Sequence, residues 1–197
     1  MPRTPAANQV VRQEREVQIR RAAATLFAQN GYVGTRVDDI ADATGISKGL
    51  IYHYFGGKAA LFTILVARAA EGTIRLYQAA ERQSGDVSAR LGWLVEQVVL
   101  GLQEQSDLFM VVMQALISEA VPEEAHAAAL RLAGESQAAM ARIIREGQAT
   151  HVLVDGDPDE LALLFSACIQ GLAVSQAMTG DVPVIRDTLL GLFARGS

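Results

Sequence analysis

Residues 45–49 read Gly-Ile-Ser-Lys-Gly, and two kinds of chemistry compete for them. Gly45, Ser47 and Gly49 satisfy G-x-S-x-G, the spacing of a nucleophile elbow, in which a strained turn between strand and helix presents a catalytic serine. The same residues suit the turn ahead of a short helix, with Ser47 as its cap and Lys48 directed at an anion. The elbow needs a strand before the serine and, later in the chain, an acid followed by a histidine. Asp155 and Asp157 are the acids one would choose, yet His151 precedes both and no histidine follows them. What comes before Ser47 is charged and carries helix caps. The turn is the better fit.

Other chemistry-bearing groups converge less. His53, His126, His151 and Cys168 are far apart and lack the H-x₃₋₅-H or C-x-x-C spacing of a metal site. Around Gly57-Lys58 the first glycine and the hydroxyl of a phosphate-binding loop are missing. Glu123 and Glu124 after Pro122 fit the start of a helix. No metal, cofactor or catalytic group is expected.

The elements that position Ser47 and Lys48 follow from periodicity. Ile19, Ala23, Leu26 and Phe27 mark one face of a helix from about Arg12 to Gln29, stopped by Asn30 and Gly31. Residues 1–11 before it read as a loose arm, from which Arg3, Arg12 and Arg15 can reach phosphate or minor groove. Thr35 is a good N-cap for a second helix, with Asp38 and Asp39 at its positive end and Val37, Ile40 and Ala41 inward. That helix should fail near Thr44-Gly45. Ser47 caps a third helix to about Tyr54, with Ile51 and Phe55 inward, and Gly56-Gly57 breaks it. Two short helices across a glycine-containing turn are a helix-turn-helix pattern. Lys58 opens a fourth helix to about Ala80. Further helices are expected over about 87–105, 107–119, 122–149, 158–178 and 182–194, with Pro122, Pro158 and Pro183 at starts. The spacing predicts an all-α chain: an N-terminal three-helix domain over 12–58 and a helical body over 59–197.

Composition agrees with this division. Of the 197 residues, 50% are hydrophobic and 6% aromatic, and the net charge is -5. Through Lys58 there are eight basic and five acidic residues, whereas the remainder carries nine basic and seventeen acidic ones. A basic head on an acidic body excludes a uniformly basic nucleic-acid coat and directs any nucleic-acid contact to the head. The single Cys168 excludes an internal disulfide. No apolar run of about 18 residues stands out, and the N-terminus lacks a signal peptide's apolar stretch. A cytoplasmic protein is expected.

From about 20 to 65 the chain resembles the DNA-binding domain of the TetR (tetracycline-repressor) family. The Thr35 cap, the Ala-x-x-x-Gly of the turn, Ser-Lys-Gly, Tyr-x-x-Phe and the lysine opening the fourth helix carry the likeness, in that order. The resemblance implies a homodimeric, ligand-responsive repressor binding a palindromic operator in double-stranded DNA. Positions that touch DNA would be Thr35, Arg36, Ser47, Lys48, Gly49, Leu50, Tyr52, His53, Tyr54 and Lys58. Lys48 can reach a guanine edge or a phosphate, and tyrosine hydroxyls can donate to phosphates. Leu50 departs from the small polar residue relatives often carry there; facing DNA, it could only pack on a thymine methyl.

The body carries weaker signals. Trp93, Phe109, Met110, Met113, Gln114, Phe165, Cys168 and Gln170 mix soft apolar and polar groups as a pocket for a small, hydrophobic effector would, and as any helical core would. Leu161, Phe165, Ile169 and Leu172, then Ile185, Leu189 and Phe193, form apolar faces that the family analogy makes a dimer interface. The competing reading is a helical small-molecule-binding protein, or a serine esterase using Ser47, whose helix-turn-helix motif is incidental.

Overall fold

The computed structural model describes residues 5–180 and 186–195, with only the backbone for residues 5–8. These residues form eight helices: α1 (Pro5–Gly34), α2 (Val37–Thr44), α3 (Lys48–Phe55), α4 (Lys58–Arg82), α5 (Val87–Ile117), α6 (Glu123–Ala149), α7 (Pro158–Thr179) and α8 (Arg186–Phe193). The expected breaks are there. α1 leaves helical geometry at Gly31 (φ 73°), α5 does so at Gln105, and glycines with positive φ end α2, α3 and α7 at Gly45, Gly56 and Gly180. Pro158 is in the first turn of α7, where Asp157 accepts the N–H groups of Asp159 and Glu160 at 2.8 and 3.1 Å. Pro183 and Ile185 lie outside the described residues. The loose arm is corrected: α1 is already helical at Pro5, so Arg12 and Arg15 stand on a helix, while Arg3 lies outside the described residues.

Two compact units divide the chain, and not at residue 58. Among the described residues, one contains 5–68 together with 110–129; the other contains 69–109, 130–180 and 186–195. In the first, Phe27, Ile40, Ile51 and Phe62 are fully buried at the crossing of α1 to α4. Phe27 meets Phe62 edge-on with centroids 5.1 Å apart, and Tyr32 joins them at 4.9 Å from Phe62. The segment from Met110 adds a polar clamp: the Gln114 side chain accepts the Tyr32 N–H (3.1 Å) and donates to the Phe27 carbonyl (2.7 Å). Both groups flank the Gly31 break, where backbone groups lack helical partners.

The second unit packs Leu91, Leu94, Met140, Ile144, Phe165, Leu189 and Phe193 into one core, with Phe165 edge-on to Phe193 at 5.8 Å. Here α6 passes so close to Leu153 that a Cβ on Gly147 would collide with that side chain. A short bridge pairs Leu153 with Ala194: Val154 N–H donates to Phe193 C=O and Arg195 N–H to Val152 C=O, each at 3.0 Å.

α7 overturns one expectation. By length and a mean hydropathy of 1.6 over 18 residues it is apolar enough to cross a membrane. Its inward residues Ala162, Phe165 and Ala173 are buried, yet Leu163, Leu164, Val174 and Met178 on its other side are exposed. A helix apolar all round needs cover on both sides.

Candidate nucleic-acid interface

The α2–turn–α3 segment is fixed from below. Ile40 and Val37 of α2, Ile46 of the turn, and Ile51 and Phe55 of α3 are buried. α1 reaches the turn directly, Gln18 Nε2 donating to the Thr44 carbonyl at 3.0 Å. Because α3 has eight residues and a 3.6-residue period, burying Ile51 and Phe55 turns the opposite side outward. Ser47, Lys48, Gly49, Tyr52 and His53 are exposed there, and Leu50 and Tyr54 are half-buried. Ser47 occupies the N-cap position of α3 without a side-chain capping hydrogen bond. A helix and a turn lead into it, so the strand-to-helix geometry of a nucleophile elbow is not formed.

Local contacts aim the outward groups. Gly57 (φ 124°) is so close under the Tyr52 ring that a Cβ would lie 3.1 Å from Cε1. A ring rests there because no side chain intervenes. Tyr54 is covered by the Arg12 guanidinium, 5.5 Å from its ring centroid, and Arg12 also pairs with Glu16 at 2.9 Å. Gly49 has open space where a Cβ would be, so its surface permits close approach. Arg36 is exposed at the N-cap of α2, and its N–H donates to the Asp39 carboxylate at 2.7 Å. That hydrogen bond, more than the neighbouring guanidinium, holds the Asp39 carboxyl below its usual pKa. Lys48 pairs with Asp38 at 2.9 Å, an interaction that raises its pKa.

Two of the expected DNA contacts are placed otherwise. Thr35 is not the N-cap of α2; Arg36 is. The Thr35 side chain is fully buried, its hydroxyl donating back to the carbonyls of Gly31 (2.8 Å) and Leu26 (3.1 Å), and its N–H also going to Gly31 (3.2 Å). The break at Gly31 leaves carbonyls that this hydroxyl satisfies, so it cannot meet a phosphate. Lys58 is half-buried, donating to the Tyr32 carbonyl at 2.9 Å with its ammonium 4.4 Å from the Tyr32 ring centroid. It is a strut inside the head.

The effector and dimer sets also separate. Phe165 is buried in the core of the second unit, Gln170 is exposed, and Gln114 is the clamp on Tyr32 and Phe27. Trp93 and Cys168 are half-buried against the main core of the second unit, and Phe109 against a small cluster around Leu102 and Ala173. Met110 and Met113 are half-buried in the first unit. Of the expected dimer residues, Phe165, Leu189 and Phe193 are buried within the second unit, and Leu161, Ile169 and Leu172 pack against its clusters. Left exposed are Leu163, Leu164, Val174 and Met178 on α7 and Leu192 on α8, which sequence reasoning missed. His126 Nδ1 is 2.8 Å from the Ala115 carbonyl, and His151 Nδ1 is 3.0 Å from the Arg195 guanidinium, so each has its own partner.

Residues 19–63 match the family described as bacterial regulatory proteins, tetR family. The HTH-type transcriptional activator FasR of Mycolicibacterium smegmatis is 28% identical over 129 residues, covering 66% of this chain and 58% of that protein. The chain therefore spans a little over half the length of that curated relative. The MbdR regulator from Azoarcus superposes with a TM-score of 0.79 at 22% identity, covering 89% of this chain and 94% of that one. A TetR-family transcriptional regulator from Agrobacterium tumefaciens does so with a TM-score of 0.77 at 21% identity, covering 93% and 100%. These two likenesses are likenesses of fold. The family match falls on the residues that build α2, the turn and the outward face of α3, so over residues 19–63 the chain is similar to the tetR family of bacterial regulatory proteins.

Proposed function

We propose that this protein is a homodimeric, sequence-specific DNA-binding regulator of transcription, acting as a ligand-responsive repressor. The observation that carries the reading is the outward face of α3: Ser47, Lys48, Gly49, Tyr52 and His53 exposed on a short helix whose other side is locked into the head. A helix so presented fits the major groove, with Lys48 near base edges and Tyr52 and Arg36 near phosphates. Leu50, half-buried, is left for a thymine methyl. An acidic body repels DNA and leaves the heads as the binding surface.

A palindromic operator requires two heads, and the exposed apolar side of α7 with Leu192 of α8 supports a second copy as its cover. The cover is another protein surface, which fits a cytoplasmic regulator. A small hydrophobic effector bound among the helices of the second unit would release DNA by binding the free form better than the bound one. Trp93, Phe109 and Cys168, half-buried there, are the residues we propose it meets.

The test is fluorescence anisotropy against duplexes enriched from a random pool. Preference for an inverted repeat, with log K falling linearly against log salt, is the expected outcome. Equal binding to every duplex, or none at low salt, would remove the reading.

A further inference from the structure

Lys48 is the cation at the leading end of α3, and it is not free: its ammonium is 2.9 Å from the carboxylate of Asp38, ten residues earlier in α2. The two side chains remain 51% and 53% exposed, so the pair bridges the first turns of both helices on the open side of the head. An ion pair this exposed adds little to folding stability. Its consequence lies in what it does to the lysine. Arg36 and Tyr52 are the other ionisable groups acting on Lys48, and Arg36 is itself directed to Asp39 at 3.3 Å.

Resting on the DNA-binding reading above, we propose that Asp38 is a positioning residue for sequence discrimination, turning Lys48 from a phosphate anchor into a reader of guanine edges. A lysine ammonium has three N–H donors. Both Asp38 carboxylate oxygens lie 2.9 Å from Nζ and face two of them, and the remaining donor is available to the O6 or N7 acceptor of a guanine. A phosphate bound to the same ammonium would be brought against the Asp38 carboxylate, like charge against like. The pair also has no net charge, so placing it on the backbone releases no counterion in the way a bare lysine does. A guanine edge is an uncharged pair of acceptors and meets neither obstacle. Asp38 thus lowers affinity for DNA in general more than affinity for the right site, which is how specificity is gained by opposing the wrong partner.

Anisotropy across a range of salt decides it, on the inverted repeat that the wild-type protein enriches and on an unrelated duplex of equal length. The proteins are wild type, Asp38→Asn, Asp38→Glu, Lys48→Ala and the Asp38→Asn/Lys48→Ala double variant. Asp42→Asn removes the same charge at another exposed position of α2. Asp38→Asn is expected to tighten binding to the unrelated duplex and to steepen the salt slope by about one for each head. It should lower the ratio of site to unrelated affinity roughly tenfold. Asp38→Glu should keep most of that ratio, and Asp42→Asn all of it. In the Lys48→Ala background, Asp38→Asn should leave the ratio where Lys48→Ala put it. A ratio unchanged by Asp38→Asn, or the same fall without Lys48, would overturn the assignment; a merely structural role would move both duplexes alike. If the wild type enriches no sequence, the DNA-binding reading fails and this one with it. If it enriches one and Asp38→Asn preserves ratio and slope, only the role of Asp38 falls.

Discussion

The Tyr52 ring rests on Gly57: Cε1 is 3.1 Å from where a Cβ on Gly57 would be, and Gly57 holds a φ of 124° that L side chains rarely adopt. Two constraints therefore fall on one glycine, one from its own backbone and one from the ring it supports. Gly57→Ala is expected to destabilise the fold by about 1–3 kcal/mol through strained backbone. It should also weaken operator binding further than that loss accounts for, because Tyr52 must move. Thermal melts and anisotropy on the same samples check both parts. A variant as stable as wild type would show that the turn adapts without strain.

Thr35 gives a sharper discrimination. Its hydroxyl is fully buried and bonded to the Gly31 and Leu26 carbonyls, so its work is structural. Thr35→Val keeps the shape and removes the donor, at an expected cost of about 1–2 kcal/mol in stability. Operator affinity of the folded fraction should stay within about twofold, the size of a lost indirect effect. Denaturant unfolding read beside DNA titration separates the two. Affinity lost without any stability change would return Thr35 to the DNA face.

The buried side of α8 and the exposed side of α7 predict opposite fates for introduced glutamates. Leu189 is 2% exposed within the core of the second unit, so Leu189→Glu buries an unpaired charge and should unfold that unit, at about 3 kcal/mol or more. Met178 is 80% exposed and Leu163 59%, so glutamate at either leaves the fold intact. Across a two-fold axis each substitution enters twice, and like charges meet. Light scattering at micromolar protein should then give a monomer mass for Met178→Glu and Leu163→Glu with unchanged helical circular dichroism. A dimer surviving both would place the partner surface elsewhere.

How far the sequence carried these residues depends on the range of the interactions involved. Gly45, Ser47, Ile51 and Phe55 were legible because a turn and a helical period are local properties, readable within a dozen residues. Thr35 was not. A hydroxyl at a helix start looks the same whether it caps the helix ahead or satisfies carbonyls behind, and only the break at Gly31 decides. Lys58 and Tyr32 are 26 residues apart, so the strut between them leaves no trace in spacing. The Asp38–Lys48 pair also spans two helices, and its partners were seen singly, as a helix-start acid and a DNA-facing lysine. On α7 the difficulty was of another kind. Apolar residues encircle the helix, so periodicity offers two stripes, and choosing the inward one needs α8 and the core to be in place.

Tyr77 ties the second unit's core to pH. Burial among apolar neighbours pushes its phenol from 10.0 up to about 12. In the unfolded chain the phenol ionises near its ordinary value. Between about pH 10 and 12 the unfolded state has therefore lost a proton that the folded state keeps. With fewer protons bound in the unfolded state, stability falls as pH rises through that window. Below it, the contribution is fully present. Two units of separation correspond to about 3 kcal/mol in all, at about 1.4 kcal/mol for each unit, and most of it is lost by pH 12. Other groups also titrate there, so the comparison is with Tyr77→Phe, which lacks the ionisation and fills nearly the same volume. Chemical denaturation at pH 8, 10 and 12 should show wild type losing stability faster than Tyr77→Phe above pH 10, with parallel behaviour below it. Parallel curves throughout would mean that the folded protein admits the phenolate, and so that water reaches this part of the core.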